Sequence, residues 1–482
     1  MSGQNKTPLF NALKEYKERN VIPFDVPGHK HGNGIPELRD FLGTNTLQID
    51  VNSMKPLDNI GNPTGVIREA EELLAEAYDA DAAFFLVNGT TFGVQAMIMA
   101  ACHPGDKIIL PRNVHESAIH ALILSGAIPV YMQPEIHPHL GIAGGIPYET
   151  FEQTIKEHPD AKSVFLINPT YYGITSDLSR IIELSHKYNM TVLADEAHGA
   201  HFHFHDSLPP SAIPLGADMS AVSLHKTGGA LTQSSALLLN ERYYNREDIK
   251  TILNLTQTTS ASYLLMASLD IARKMLATEG NRILSGILEL ARNTRLELNK
   301  IDGLYSFGTE IVNGRGIFGF DETKLGICIK GLGLTGHQVY DILRDHYNIQ
   351  IEFGDVNNIL AVLSVGDTKE NVCALIDAFR DISLKYAKGK SVDININLTN
   401  PEIIVSPRDA FYSRKKRIPL LESEGEISGE SIMAYPPGIP IVSPGERIDK
   451  NIIEHILFLK RQHTVITGVE DAQANTINVL GY

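Results

Sequence analysis

The sequence predicts an α/β protein with a mostly parallel sheet. From about residue 80, short apolar runs alternate with longer helical patterns, the runs read as fully buried, and polar or glycine-rich turns gather at their carboxyl ends. AFFLV (83–87), KIILP (107–111), IPVYM (128–132), SVFLIN (163–168), TVLAD (191–195) and SAVSL (220–224) read as strands. Segments 90–102, 115–125 and 177–188 read as helices between them. Ligands of such a sheet are expected at the carboxyl ends of its strands. A strongly helical stretch around 270–300 leads into a smaller α/β region, with LGICIKG and ILAVLSV as strands and HQVYDILRDHY and VCALIDAFRDISLKYA as helices. The polar stretch KGKSVDININLTNPE reads as a linker, and the remainder, containing YPPGIPIVSPGE, as an α+β C-terminal domain. The expected division is therefore 1–285, 286–390 and 391–482.

At 482 residues, with 43% hydrophobic and 21% charged residues, the chain has enough apolar material for more than one core. The 42 basic and 57 acidic residues give a net charge of -15, a balance that disfavours nucleic acid and anionic membranes and tolerates a cationic substrate. Three cysteines without paired spacing argue against a disulfide framework, and no uncharged apolar run reaches membrane-spanning length. The reading is a cytoplasmic protein whose N-terminus, MSGQNKTPLFNALKEYKERN, lacks a signal core.

Four places carry chemistry. Lys226, in SAVSLHKTGG, lies just past a strand and before two glycines, a place where an amine can be partly desolvated and made nucleophilic. Asp195 ends the strand TVLAD and suits a carboxylate set against a pyridine nitrogen, although Asp also caps helices. NGTTFGVQAMIMAAC (88–102) combines a glycine turn at Gly89 with a helix beginning at Thr90 or Thr91, a phosphate-binding arrangement to which Ser223 and His225 can add donors. His115, in PRNVHESA, sits where a strand ends and a helix begins, so its imidazole can lie over a cofactor ring or serve as a cap. Together these point to pyridoxal phosphate (PLP) chemistry.

DEAHGAHFHFH, SLHKTGGALTQSS, PGHKHG, NGTTFG, PRNVHESAIHALILSGAIP, TQTTSASY, SPRDAFY and YPPGIPIVSPGE together resemble the Orn/Lys/Arg decarboxylases, a fold-type-I PLP-dependent family, over nearly the whole chain. The chain begins almost directly at PGHK, so it is similar to short members, as in Gram-positive bacteria, that lack an N-terminal wing domain. The resemblance implies that Lys226 carries the cofactor, Asp195 binds its ring nitrogen and His115 stacks on the ring. It places Gly89, Thr90, Thr91, Ser223 and His225 at or near the phosphate. It implies a homodimer or higher homo-oligomer, with Thr258 reaching the neighbouring subunit's phosphate, and puts Glu446 near the distal cation of the substrate. His198, three residues beyond Asp195, is expected to line the site, its proton role open. The implied reaction is decarboxylation of a basic L-amino acid, foremost arginine to agmatine for polyamine synthesis, with lysine or ornithine as alternatives.

Three rivals are weighed against this. His201, His203 and His205 alternate and would share one face of an extended segment, as in a zinc site, but no second ligand cluster accompanies them, and no metal is expected. The DEAH at 195–198 suggests a nucleotide motor, yet Gly389-Lys390-Ser391 has Leu384 where the first glycine of a phosphate loop belongs. An aminotransferase needs an arginine for the α-carboxylate; Arg344 is available but reads as part of a solvated helix face.

Overall fold

The computed structural model describes residues 3–387, 400–435, 439–462 and 464–481. It divides into two compact units, 1–100 with 194–284 and 101–193 with 285–482. Most of the 388–402 linker, including the Gly389-Lys390-Ser391 triplet, and Pro436-Pro437-Gly438 of the YPPG motif lie outside the described residues.

In the first unit, strand Ser235–Leu239 runs antiparallel to both Ala82–Leu86 and Met219–Val222. The sequence reading missed Ser235–Leu239, whose five residues are all buried and closely follow a glycine-rich turn. Helix Val66–Ala77 packs Ile67, Ala70 and Leu74 into the core shared with Phe85, Val222 and Leu238. Its Glu71 is fully buried, accepts the Phe85 amide at 3.0 Å and pairs with Arg246, so the cation and the carboxylate satisfy each other out of water.

The N-terminal helix Pro8–Glu18 is anchored by the long helix Tyr263–Leu298. Asp270 Oδ2 accepts the amides of Leu9 and Phe10 at 3.1 and 3.2 Å, two donors that a helix start leaves without intrahelical partners. Arg273 in turn donates to Asp270 Oδ1 and to the carbonyls of Gln4 and Lys6. Both side chains are fully buried.

In the second unit, Lys107–Pro111 pairs in parallel with Ile128–Met132 and with Ser163–Ile167, as the buried apolar runs predict. The smaller region carries the order Phe353–Gly354, Asn358–Val362, Lys324–Cys328, Tyr305–Ser306, every pair antiparallel. Helices Gly336–Tyr347 and Lys369–Tyr386 accompany it, their starts capped by Thr335 and Thr368. The C-terminal part pairs Lys415–Pro419 with Thr476–Leu480, and Ile432–Tyr435 with both Ile439–Val442 and Val465–Thr467. Helix Lys450–Arg461 packs Ile452, Ile456 and Leu459 against it.

Asp270→Ala strands the buried Arg273 guanidinium, a loss expected to destabilise the fold by about 3–5 kcal/mol. Urea denaturation measures it, and cleavage within the first twenty residues under limited proteolysis should rise in parallel. A loss below about 1 kcal/mol would contradict the anchoring role.

Candidate active site

Strand Met219–Val222 stops two residues earlier than expected. Leu224–Thr227 forms a single helical turn instead, with Leu224 fully buried and Ser223 at its start. Lys226 therefore projects from a turn anchored by a core leucine. It is half-buried, and its Nζ lies 3.0 Å from Nε2 of His198. At that distance one proton serves both atoms: an ammonium donates to a bare ring nitrogen, or a protonated ring nitrogen donates to a neutral amine. The geometry thus gives His198 a definite neighbour for its proton.

Asp195 lies in strand Thr191–Glu196 and is 8% exposed. Its Oδ1 accepts the Ala197 amide at 3.1 Å, a local turn bond rather than a helix cap. Burial pushes the carboxyl above its usual range, while the Ala197 amide and the charge of Lys226 pull the other way. A carboxylate so poorly solvated gains strongly from a cation brought against it. The adjacent Glu196 is tied off by Ser211, Ser220 and the Ala212 amide, which fixes the end of the strand.

Helix Gly89–Ala101 begins one residue before the expected threonines. Gly89 has φ +75, with open space where a Cβ would stand. Thr90 Oγ1 bonds to Ser223 Oγ and lies 3.0 Å from Ser235 Oγ. Three hydroxyls from three elements thus converge beside a helix N-terminus. Ser235 was absent from the sequence reading; its only signal is a serine pair ahead of an apolar run. Thr91 is exposed. His225 turns its Nδ1 to the Ser234 carbonyl at 3.1 Å, securing the Lys226 turn to the next loop. Thr258 is exposed, its hydroxyl accepting the Ser260 amide at 3.1 Å.

In the second unit His115 is the N-cap of helix Glu116–Ser125. Its Nδ1 accepts the Ser117 amide at 3.2 Å, so the proton of the neutral ring rests on Nε2. Glu446, 1% exposed, has both oxygens engaged by Arg112 and also accepts the Ser443 amide at 2.7 Å. The structure therefore groups Lys226, His198 and Asp195, and separately Thr90 with Ser223. Glu446 is joined to a residue the sequence reading did not single out.

The histidine run is not the extended segment that the metal reading requires. Phe202–Phe204 is a 3₁₀ turn; His203 approaches Asp79 at 3.5 Å, whereas His205 Nδ1 accepts the Ser207 amide. Among the described residues no group of three or more His, Cys, Asp or Glu side chains is arranged to hold a metal. Arg344 is an exposed side chain paired with Asp341 and Asp345.

The donor set fits PLP: a half-buried amine, a buried carboxylate at a strand end, and hydroxyls gathered at a helix start with room above Gly89. The Orn/Lys/Arg decarboxylase major-domain model matches residues 7–371, and the family's C-terminal-domain model matches 393–473. Arginine decarboxylase of Bacillus subtilis is 45% identical over 481 residues, which span 99% of this chain and 98% of that protein. Constitutive lysine decarboxylase of Escherichia coli is 24% identical over 566 residues, spanning 94% and 78%. The structure resembles Francisella novicida lysine decarboxylase, with a TM-score of 0.86 at 24% identity over 98% of this chain and 81% of that one. The architecture is the α/β fold of the fold-type-I enzymes.

Because the folded state raises the Asp195 pKa, its contribution to stability is lost as pH rises through the interval between the unfolded and folded values. Asp195→Asn, whose Oδ1 can still accept the Ala197 amide, should therefore raise the thermal midpoint of cofactor-free protein at pH 7. The gain should shrink as the pH falls toward the carboxylate range and the wild-type group takes up its proton. Calorimetry across that range checks both the direction and the pH trend.

Proposed function

This chain belongs to the Orn/Lys/Arg decarboxylase family, and from that premise we propose that it converts L-arginine to agmatine, with PLP attached at Lys226. The observation that carries the substrate choice is the full-length identity to an arginine decarboxylase, about twice that to the lysine enzyme. PLP, when bound, accepts the electron pair of the breaking Cα–carboxylate bond into its ring.

The chain's own residues supply the rest. Lys226 provides the amine that joins the cofactor, and the turn Leu224–Thr227 fixes where that amine emerges. His198, 3.0 Å away, takes and returns a proton at Nζ as the amine changes state. Asp195 holds a proton on the ring nitrogen, stabilised by the same lack of water that makes its own charge costly. Thr90, Ser223 and Ser235 offer hydroxyl donors to the phosphate, together with the first backbone amides of helix Gly89–Ala101 beyond Gly89, whose own amide is bonded to the Gln233 carbonyl. His225 secures this turn through the Ser234 carbonyl. His115 is assigned to the face of the ring, supported by its tautomer, which leaves an N–H on Nε2. Thr258 is assigned to the phosphate of a neighbouring copy, a reading supported by its exposure.

The assembly is read as a homodimer at minimum. The first unit exposes Ile22, Phe24 and Phe41 at 78%, 94% and 86%, more apolar surface in one short segment than a solitary chain ordinarily leaves in water. Three cysteines outside any disulfide accord with a reducing cytoplasm. Among the described residues no helix is long and apolar enough to cross a membrane. The organisation proposed remains 1–285, 286–390 and 391–482, the agmatine feeding polyamine synthesis.

Incubation with arginine, lysine and ornithine together should yield agmatine as the dominant amine by mass spectrometry; a majority of cadaverine or putrescine would overturn the substrate assignment. Lys226→Ala should abolish both the visible absorbance of bound cofactor and its fixation by borohydride. Asp195→Asn should keep the cofactor and lose at least about 100-fold in kcat. Near-normal turnover would refute the role given to that carboxylate.

A further inference from the structure

Arg112 is among the largest fully buried side chains of the protein. A cation removed from water is stable only when paired and hydrogen-bonded, and here the partner is Glu446 of the C-terminal part, held bidentately. Arg112 Nη2 also donates to the Ile441 carbonyl at 3.0 Å, and its guanidinium lies 4.7 Å from the Tyr131 ring centroid. Glu446 is itself fixed. Its carbonyl accepts the Ser428 amide at 2.8 Å, and its amide donates to Ser443 O at 3.2 Å.

Arg112 directly follows strand Lys107–Pro111, and its amide still bonds the Met132 carbonyl at 2.8 Å. Three residues later His115 caps helix Glu116–Ser125. The far end of that helix is also held by the C-terminal part. Arg408, in helix Pro407–Tyr412, donates through Nε to Ile123 O at 2.8 Å and through Nη2 to Leu124 O, two carbonyls that the helix end leaves unsatisfied. Gly126 ends the helix at φ +75, a conformation that strains other residues, and a Cβ there would meet Arg408 Nη1 at 2.8 Å.

We propose that the C-terminal part takes part in the reaction through this two-point grip. Glu446, through Arg112, and Arg408, at the helix end, are positioning residues that fix the His115 ring, and Glu446 does not itself touch the distal cation of the substrate. The proposal rests on the reading that His115 faces the cofactor. The His115 ring follows the first turn of its helix because Nδ1 is bonded to the Ser117 amide, and the helix follows its two anchors. Glu446 already serves a buried guanidinium with both oxygens, so a substrate guanidinium would have to displace an internal one from a dry site.

The test uses the holoenzyme with Glu446→Gln, the double variant Arg112→Met with Glu446→Met, Arg408→Ala, and His115→Ala. Glu446→Gln is expected to lower kcat by about tenfold or more while changing KM for arginine by less than about threefold. It should also shift the visible absorption of the bound cofactor and speed amide hydrogen exchange over 112–126. The double variant replaces the pair with apolar side chains, so it should recover the slow exchange and most of kcat. Arg408→Ala should give a weaker form of the same pattern, with the faster exchange concentrated at the helix end. A Glu446→Gln enzyme with KM raised more than about tenfold, and with unchanged spectrum and exchange, would show direct substrate contact and overturn the proposal. A folded double variant as impaired as the single one would overturn it too. His115→Ala with normal kcat and spectrum would remove the underlying reading of His115 and the catalytic part of the proposal, whereas unchanged exchange in Glu446→Gln would remove the grip itself.

Discussion

The proposed chemistry depends on a carboxylate kept out of water near an amine. Asp195 sits at the end of a strand whose residues are all buried, where its ionised form has one backbone amide and the Lys226 charge for compensation. A site of this kind is destabilised until a cation occupies it, and a protonated pyridine nitrogen is such a cation. Lys226 and His198, 3.0 Å apart, stand close enough to pass one proton between them. On the proposed reading, that local cost becomes affinity and reactivity toward the cofactor.

Neighbouring elements of each unit are fastened by buried polar bonds. Leu224 buries the turn beneath Lys226, and Glu196 locks the strand end beside Asp195 with two serine hydroxyls and an amide. The N-terminal helix is fastened to Tyr263–Leu298 through Asp270 and Arg273. In the second unit a buried arginine and glutamate again satisfy each other. Such a pair adds little net stability over apolar packing, but removing one partner strands the other out of water and loosens the segments it joins.

The major strands and helices of both units were legible because buried β-branched runs and 3.6-residue periodicity are local properties of the chain. Strand Ser235–Leu239 was not: it is short, follows a turn-rich stretch and contains three leucines, which in isolation favour no single structure. The antiparallel pairing of the smaller region was equally hidden, since strand direction depends on chain reversals far apart in sequence. Lys226 and Asp195 were singled out from their places at strand ends, whereas the contact between Lys226 and His198 was not legible.

By itself the sequence determined the family and offered candidate reactive groups: an amine, a carboxylate, a histidine and a hydroxyl-rich helix start, each at a turn where a strand ends. Tertiary structure decided which of these groups meet. Ser235 joins Thr90 and Ser223 because three distant segments converge, and His203 and His205 fail to share a face because their segment curls into a turn. Glu446 likewise bonds Arg112, more than three hundred residues away in the chain. Side-chain identity is fixed locally, but partnership depends on how distant segments pack, and no pattern along the chain encodes that directly.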